Sequence, residues 1–374
     1  MNTITAAVLP APGAPIELRE LPEPELEPGS ALLEVELSEV CGTDVHLRAG
    51  RLAGVPYPIV PGHVTVGRLA KIRGTLKDAA GNTLRDAEGN VLREGDRVTF
   101  LDVHRTCNAC WHCLVAKATT RCPDRRVYGI TYGVADGPSG GWAEAIYLKP
   151  GTHIIPVGEL DAEAFMAGGC GLPTALHAVE RAEIRIGDTV LVLGAGPVGL
   201  SAVILAKMSG ALRVLCIGAP EPRLEAARAV GADATLSIET TSPEERLEWV
   251  LEHTGGRGAD VTIEAAGAPE AVVQAMRFTR DAGRVVVVGQ YTDHGDVAFN
   301  PHADLNRKHM DVRGCWGSDY SHFFRAVQVM RDPARSRPWS AIPLERFGLA
   351  QANDALDAVA ASRVAKALID PKLR

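Results

Sequence analysis

From Thr189 onward the chain alternates short apolar runs with stretches of helical period. TVLVLG leads into VGLSAVILAKMSG, RVLCIG into RLEAARAVGA, ADVTIEAAG into EAVVQAMRFTR, and GRVVVVGQ follows. Apolar runs with no polar face predict strands buried on both sides, so this half reads as a parallel sheet with helices on both faces. Residues 1 to about 168 follow another pattern. There, runs such as ALLEVEL and DRVTF are separated by glycine and proline, which predicts an antiparallel, loop-rich β domain. The architecture changes near the middle of the chain.

Length supports that division. The 374 residues exceed the length of about 250–300 at which single cores stop growing. Within the first half, DAAGNTLR at 78–85 is followed at once by DAEGNVLR at 86–93. Each copy carries a turn-like Gly-Asn before β-favouring residues, predicting a projecting hairpin or a pair of turns.

Composition narrows the partners. Hydrophobic residues make up 46%, charged residues 23%, and the formal net charge is −7, with charges interspersed. This is an ordinary globular balance with no electrostatic draw towards nucleic acid or membrane. The longest apolar runs are broken by glycines and fall short of the ~20 residues needed to span a bilayer. The N-terminal stretch lacks the basic leader and apolar core of a secretory signal, so a reducing cytoplasmic setting is expected. Eight cysteines include four crowded into residues 107–122, a density that in a reducing compartment points to metal.

GAGPVG at 194–199 lies between the predicted strand TVLVL and a predicted helix, the context that gives this motif meaning. Gly194 permits the tight turn and Gly196 lets backbone approach a pyrophosphate. Gly199 lets helix pack on strand, and Pro197 and Val198 open the helix whose N-terminus faces the anion. An NAD site usually places a carboxylate at the end of the following strand. Here that strand, RVLCIG, ends on Gly218, with Arg223 shortly after. The absent carboxylate removes a repulsion and Arg223 supplies an attraction for a 2′-phosphate, so NADP is favoured over NAD. Glu221 keeps NAD open.

Cys107, Cys110, Cys113 and Cys122 form C-x2-C-x2-C-x8-C. Four thiolates close a tetrahedral shell around Zn²⁺ and leave no position for chemistry, so this zinc is expected to be structural.

CGTDVH, PGHVTVG, GDRV, the four-cysteine loop, GGWAE, GCGLPT and GAGPVG, taken in that order, make the sequence resemble a zinc-containing medium-chain dehydrogenase of the alcohol dehydrogenase family over nearly its whole length. The resemblance implies an α/β chain: a doubly wound Rossmann sheet over 169–308 and a GroES-like, mainly β catalytic domain over 1–168. Residues 309–374 would complete the Rossmann edge and return to the catalytic domain, with the active site in the cleft between the domains. It also implies a second, catalytic zinc on Cys41, His63 and Cys170, a Cys₂His set with one open position. Thr43 would exchange a proton with the substrate oxygen, His46 would pass it towards solvent, and Asp44 would orient the ligating imidazole. Zinc at such a site stabilises negative charge on an oxygen while its carbon exchanges hydride with a nicotinamide.

The implied activity is hydride transfer between NAD(P)(H) and an alcohol or carbonyl compound, with a secondary or cyclic alcohol suggested by Trp142 in GGWAE as a cavity wall. The implied assembly is a homodimer or homotetramer. The competing readings are a zinc-free quinone or enoyl reductase of the same fold, or a non-catalytic dinucleotide-binding relative.

One position departs from the family. Its members generally carry GHE, the glutamate pairing with a basic residue near the C-terminus; here that position is Val64. The matching base is Lys366, and a lysine without a partner in a low-dielectric site is costly. Lys366 should therefore reach solvent or another acid, Asp102 being a candidate with His104 nearby, while zinc keeps three protein ligands plus water. Cys216 reads as a buried small hydrophobe, His177 as a helix residue near the domain junction, and Trp316 as packing or subunit contact.

Overall fold

The computed structural model describes residues 2–78, 81–86 and 89–373. It divides into two compact units: residues 1–169, 319–332 and 344–374, and residues 170–318 and 333–343.

The first unit is organised by the strand Ser30–Val40. Its sequence, SALLEVELSEV, is apolar at both parities, and the alternation divides it between two cores. Leu32 joins a cluster with Val8, Ile59 and Leu356, while Ala31, Leu33 and Val35 join one with Phe100, Tyr128 and Ile146. Among the described residues the surrounding sheet runs Leu344–Phe347, Lys366–Ile369, Ser30–Val40, Thr65–Arg73, Arg97–Phe100 and Ile154–Pro156, and Ala145–Leu148 also pairs with the central strand. Lys366–Ile369 runs antiparallel to the central strand, Leu368 opposite Glu39. Thr65–Arg73 flanks the other side, Thr65 opposite Ser38.

The tandem repeat forms a pair of turns. Asp78 and Asp86 each accept from the backbone N–H of the asparagine four residues on, at 2.9 and 2.7 Å. Leu84 N–H donates to the Leu76 carbonyl and Leu92 N–H to that of Leu84, so leucines spaced by the repeat length stack into the second core. Ala79, Ala80, Ala87 and Glu88 of the repeat lie outside the described residues. The repeat therefore decorates the surface with its polar positions and extends the core with its leucines.

The second unit carries a parallel sheet. Its order among the described residues is Ala234–Ser237, Arg213–Gly218, Thr189–Leu193, Ala259–Glu264, Thr279–Val287 and Asp311–Gly314. Numbered along the chain, that is 3-2-1-4-5-6, the Rossmann arrangement. The helix Pro197–Met208 is buried on nearly every side, which its uniformly apolar sequence dictates. Pro197, Pro243 and Pro269 each start a helix, where a missing N–H costs nothing. No helix of the described residues is long and apolar enough to cross a membrane.

Candidate active site

Cys41 caps the helix Gly42–Arg48. Its N–H donates to Asp44 Oδ2 at 2.9 Å and its Sγ accepts from the Thr43 N–H at 3.3 Å, so the CGTD sequence fixes the thiol at the helix start, where negative charge is favoured. His63 Nε2 lies 3.8 Å from Cys41 Sγ. Cys170 is bonded directly to Gly169, the last residue of this stretch of the first unit, and opens the helix Gly171–Ala182. The ligating atoms of Cys41, His63 and Cys170 all lie within 4.8 Å of one another. A tetrahedral zinc with bonds of ~2.0–2.3 Å spaces its ligands about 3.5–3.8 Å apart, so the donor set fits the ion.

The electrostatics are those of a closely packed ligand group. Burial would push the His63 imidazole down, yet the Cys41 thiol beside it, with Asp44 and Asp102, raises its pKa to about 10. Burial, then the charge of Cys41, pushes the Asp44 carboxyl well up. Asp44 spends Oδ2 on the Cys41 N–H, while its Oδ1 and His63 Nδ1 are buried with no hydrogen-bond partner among the described residues. Among the described residues Asp44 thus makes no hydrogen bond to the His63 imidazole, and the helix cap uses only its Oδ2. Thr43 and His46 are half-buried on the same short helix.

The four loop cysteines also converge, with ligating atoms within 4.8 Å of one another. Cys110 and Cys113 Sγ are 3.6 Å apart, and backbone N–H groups of Cys107 and Cys110 donate to Cys122 and Cys107 Sγ, each at 3.3 Å. Donation from Ala109 and Cys110 N–H lowers the Cys107 thiol to about 7, towards the ligating thiolate.

In the second unit Gly194, at φ +103°, turns the chain out of its strand, and a Cβ there would strike the Ala265 backbone 2.8 Å away. A Cβ on Gly199 would collide with the Gly194 carbonyl, whereas Gly196 faces open space. Gly196 therefore leaves room for a ligand at the N-terminus of Pro197–Met208, with Val198 in its first turn. Gly218 ends its strand against Ala195, 2.9 Å from a Cβ placed there. Glu221, the acid that kept NAD open, pairs with Arg228 at 2.5 Å. Arg223 is half-buried, its N–H bonded to the Pro220 carbonyl at 2.9 Å. Glu264 escaped the sequence reading: its Oε1 accepts from Ala266 and Gly267 N–H at 2.8 and 2.7 Å, shaping the turn beside Gly194.

Two expectations are corrected. Lys366 does not pair with Asp102; its Nζ lies 3.0 Å from Glu39 Oε1, both side chains almost fully buried. Strand pairing explains this, because Leu368 is opposite Glu39 and places Lys366 one diagonal step away on the same face. Asp102 Oδ1 instead accepts from Val103 N–H, and His104 bonds Tyr132 Oη at 2.5 Å and the Pro150 carbonyl at 3.0 Å. Trp142 is fully buried in the first core and its Nε1 donates to the Glu39 carbonyl at 3.1 Å, so it braces the sheet and presents no exposed surface as a cavity wall among the described residues. Elsewhere, Cys216 is buried with its thiol raised to about 12 by burial. His177 Nδ1 bonds the Gly317 carbonyl at 2.7 Å, and Trp316 stacks on Tyr291 with centroids 5.6 Å apart.

The alcohol dehydrogenase GroES-like domain family matches residues 27–159 and the zinc-binding dehydrogenase family matches residues 197–332. The 5-exo-hydroxycamphor dehydrogenase of Pseudomonas putida is 34% identical over 362 residues, 96% of either chain. The erythritol/L-threitol dehydrogenase of Mycolicibacterium smegmatis is 30% identical over 92% of this chain and 91% of its own. An alcohol dehydrogenase of Thermotoga maritima superposes with a TM-score of 0.90 at 33% identity, all of both chains covered. A zinc-binding dehydrogenase of Sinorhizobium meliloti 1021, solved bound to NADP, gives 0.82 at 27% identity over 99% of this chain and 100% of its own. Fold, site and relatives agree that this chain is an oxidoreductase belonging to the zinc-type medium-chain dehydrogenase/reductase family of alcohol dehydrogenases.

Proposed function

We propose that the protein oxidises a secondary or cyclic alcohol, or reduces the matching carbonyl compound, using zinc held by Cys41, His63 and Cys170 and with NADP preferred over NAD. The convergence of those three ligating atoms within 4.8 Å carries the reading. Zinc there supplies a Lewis acid for the substrate oxygen. The Thr43 hydroxyl, next but one to a ligand, exchanges a proton with that oxygen, and His46, one turn on, hands it towards solvent. Asp44 fixes the ligating turn through its bond to the Cys41 N–H. The second zinc sits in the four-cysteine loop and holds it folded.

NADP preference is supported by Glu221, whose carboxylate is neutralised by Arg228, and by Arg223, which follows the strand that ends on Gly218. The NADP-bound Sinorhizobium structure agrees with it, and the Pseudomonas relative, named for a hydroxylated camphor, agrees with a cyclic alcohol. The cofactor loop comprises Gly194, Gly196, Pro197, Val198 and Gly199. The edge strand Asp311–Gly314 is the surface through which we assign a homodimer, alone or within a homotetramer. Thiols gathered in two metal-type clusters suit a reducing cytoplasm.

Metal analysis combined with an alcohol and carbonyl panel, followed by nicotinamide absorbance with NADP and NAD in parallel, tests the proposal. Two zinc per chain and turnover that C170A abolishes are expected, with dinucleotide binding retained in that variant. One zinc per chain in the active wild type, or full activity of C170A, would refute it and favour a zinc-free reductase.

A further inference from the structure

Glu39 and Lys366 are charged, almost fully buried and 3.0 Å apart, and neither belongs to the ligand set. Their position relates them to it. The Glu39 N–H donates to the Val64 carbonyl at 3.0 Å, so Glu39 stands opposite Val64, the residue that follows His63 in the chain. Residues directly opposite in an antiparallel pair project from one face with Cβ atoms about 5 Å apart. A carboxylate at 39 therefore occupies nearly the space that one at 64 would fill.

On the other side the pair meets the turn that carries Cys170. Lys366 Nζ approaches the Ala167 carbonyl at 3.4 Å. Gly169 adopts φ +46°, and a Cβ added to it would collide with both Glu39 Oε2 and Lys366 Nζ. The Gly169 α-carbon thus rests directly on the ion pair, and the next residue is Cys170. Only a residue without a side chain allows this contact.

We propose that Glu39 and Lys366 are positioning residues: the buried ion pair seats the C-terminal end of the helix Ala162–Gly168 and its cap Gly169, and so sets where the Cys170 thiolate meets Cys41 and His63. It replaces from strand Ser30–Val40 the carboxylate that Val64 does not provide. This rests on the assignment of those three residues as the metal ligands. Groups that orient ligands typically change metal affinity by about 10- to 100-fold when removed.

The test uses the full-length enzyme and reads metal, not turnover. Zinc per chain is measured for wild type, E39Q and the double variant E39L/K366M, along with the rate at which a chelator strips each zinc. Visible absorption of the cobalt(II)-substituted proteins reports ligand geometry. Removing both charges together leaves no unpaired buried ion, so the double variant carries the test if E39Q fails to fold. Expected are two zinc in the wild type, one of them lost about 10- to 100-fold faster from both variants. The cobalt bands should shift, and the four-cysteine zinc should be unaffected. Variants that hold both zinc ions at wild-type rates with unchanged cobalt bands would overturn the inference, since a purely structural pair predicts that result. A wild type with zinc only in the four-cysteine loop would overturn the ligand assignment itself, a distinguishable failure.

Discussion

Glu39 faces Val64 across the sheet, N–H to carbonyl at 3.0 Å, and turns its carboxylate to Lys366, 3.0 Å away. One ammonium thus balances one carboxylate in a buried space. Installing the family's glutamate by V64E adds a second acid that Lys366 cannot also neutralise, and an uncompensated buried charge costs about 3 kcal/mol or more. V64E should lower the urea midpoint accordingly, and E39V/V64E, which moves the charge across the sheet, should recover most of the loss. A stable, more active V64E would show that the two positions are independent.

The four-cysteine loop includes Trp111, Leu114 and Val115 exposed to solvent, so it has little core to hold it without metal. C110S should remove one zinc per chain and cost more than about 3 kcal/mol, a fraction of the ~10–16 kcal/mol seen in closed zinc peptides. Thermal unfolding and protease cleavage between Cys107 and Cys122 check this. The zinc at Cys41, His63 and Cys170 should remain.

Arg223 is the residue proposed to separate the two nicotinamide cofactors. Charge-assisted hydrogen bonds contribute about 1.5–3 kcal/mol, so R223A should weaken NADP binding on the order of 10- to 100-fold. Binding of NAD should change little. Calorimetric titration of both cofactors against wild type and variant decides the point, and equal losses for both would remove Arg223 from the 2′-phosphate site.

Asp319 caps the helix Tyr320–Arg331 and meets His322 Nδ1 at 2.7 Å. The hydrogen bond with His322, and then that with Ser321, holds its carboxyl far below the usual carboxylate range against the opposing effect of burial. A carboxyl with a depressed folded pKa stabilises fully above its unfolded value of about 3.9, and loses that contribution as pH falls through the folded value. D319A should therefore be less stable than wild type by about 1 kcal/mol at neutral pH. The gap should narrow below about pH 4. Urea unfolding across that range measures it.

Much was legible before any coordinates. The alternation after Thr189 specified a parallel sheet because strands covered on both faces have no polar parity to conceal. GAGPVG and the four cysteines take up the local geometry that their spacing predicts, because each is a local device set within a few residues. Local capping likewise joins Cys41, Thr43 and Asp44, which share a single turn.

The partner of Lys366 was not local. Asp102 and Glu39 are both acids upstream in the sequence, and nothing in their neighbours tells them apart. Strand register does: Leu368 pairs with Glu39, and the diagonal step brings Lys366 onto it. Trp142 was misread for the same reason, since a tryptophan in GGWAE wall or core looks identical until packing places its Nε1 on the Glu39 carbonyl. Sequence by itself determined the alternation of elements, the glycine turn at 194–199 and the gathering of the four loop cysteines, all governed by short-range periodicity and spacing. Tertiary structure alone decided which buried charges meet, because ion pairing depends on distances that chain separation does not encode.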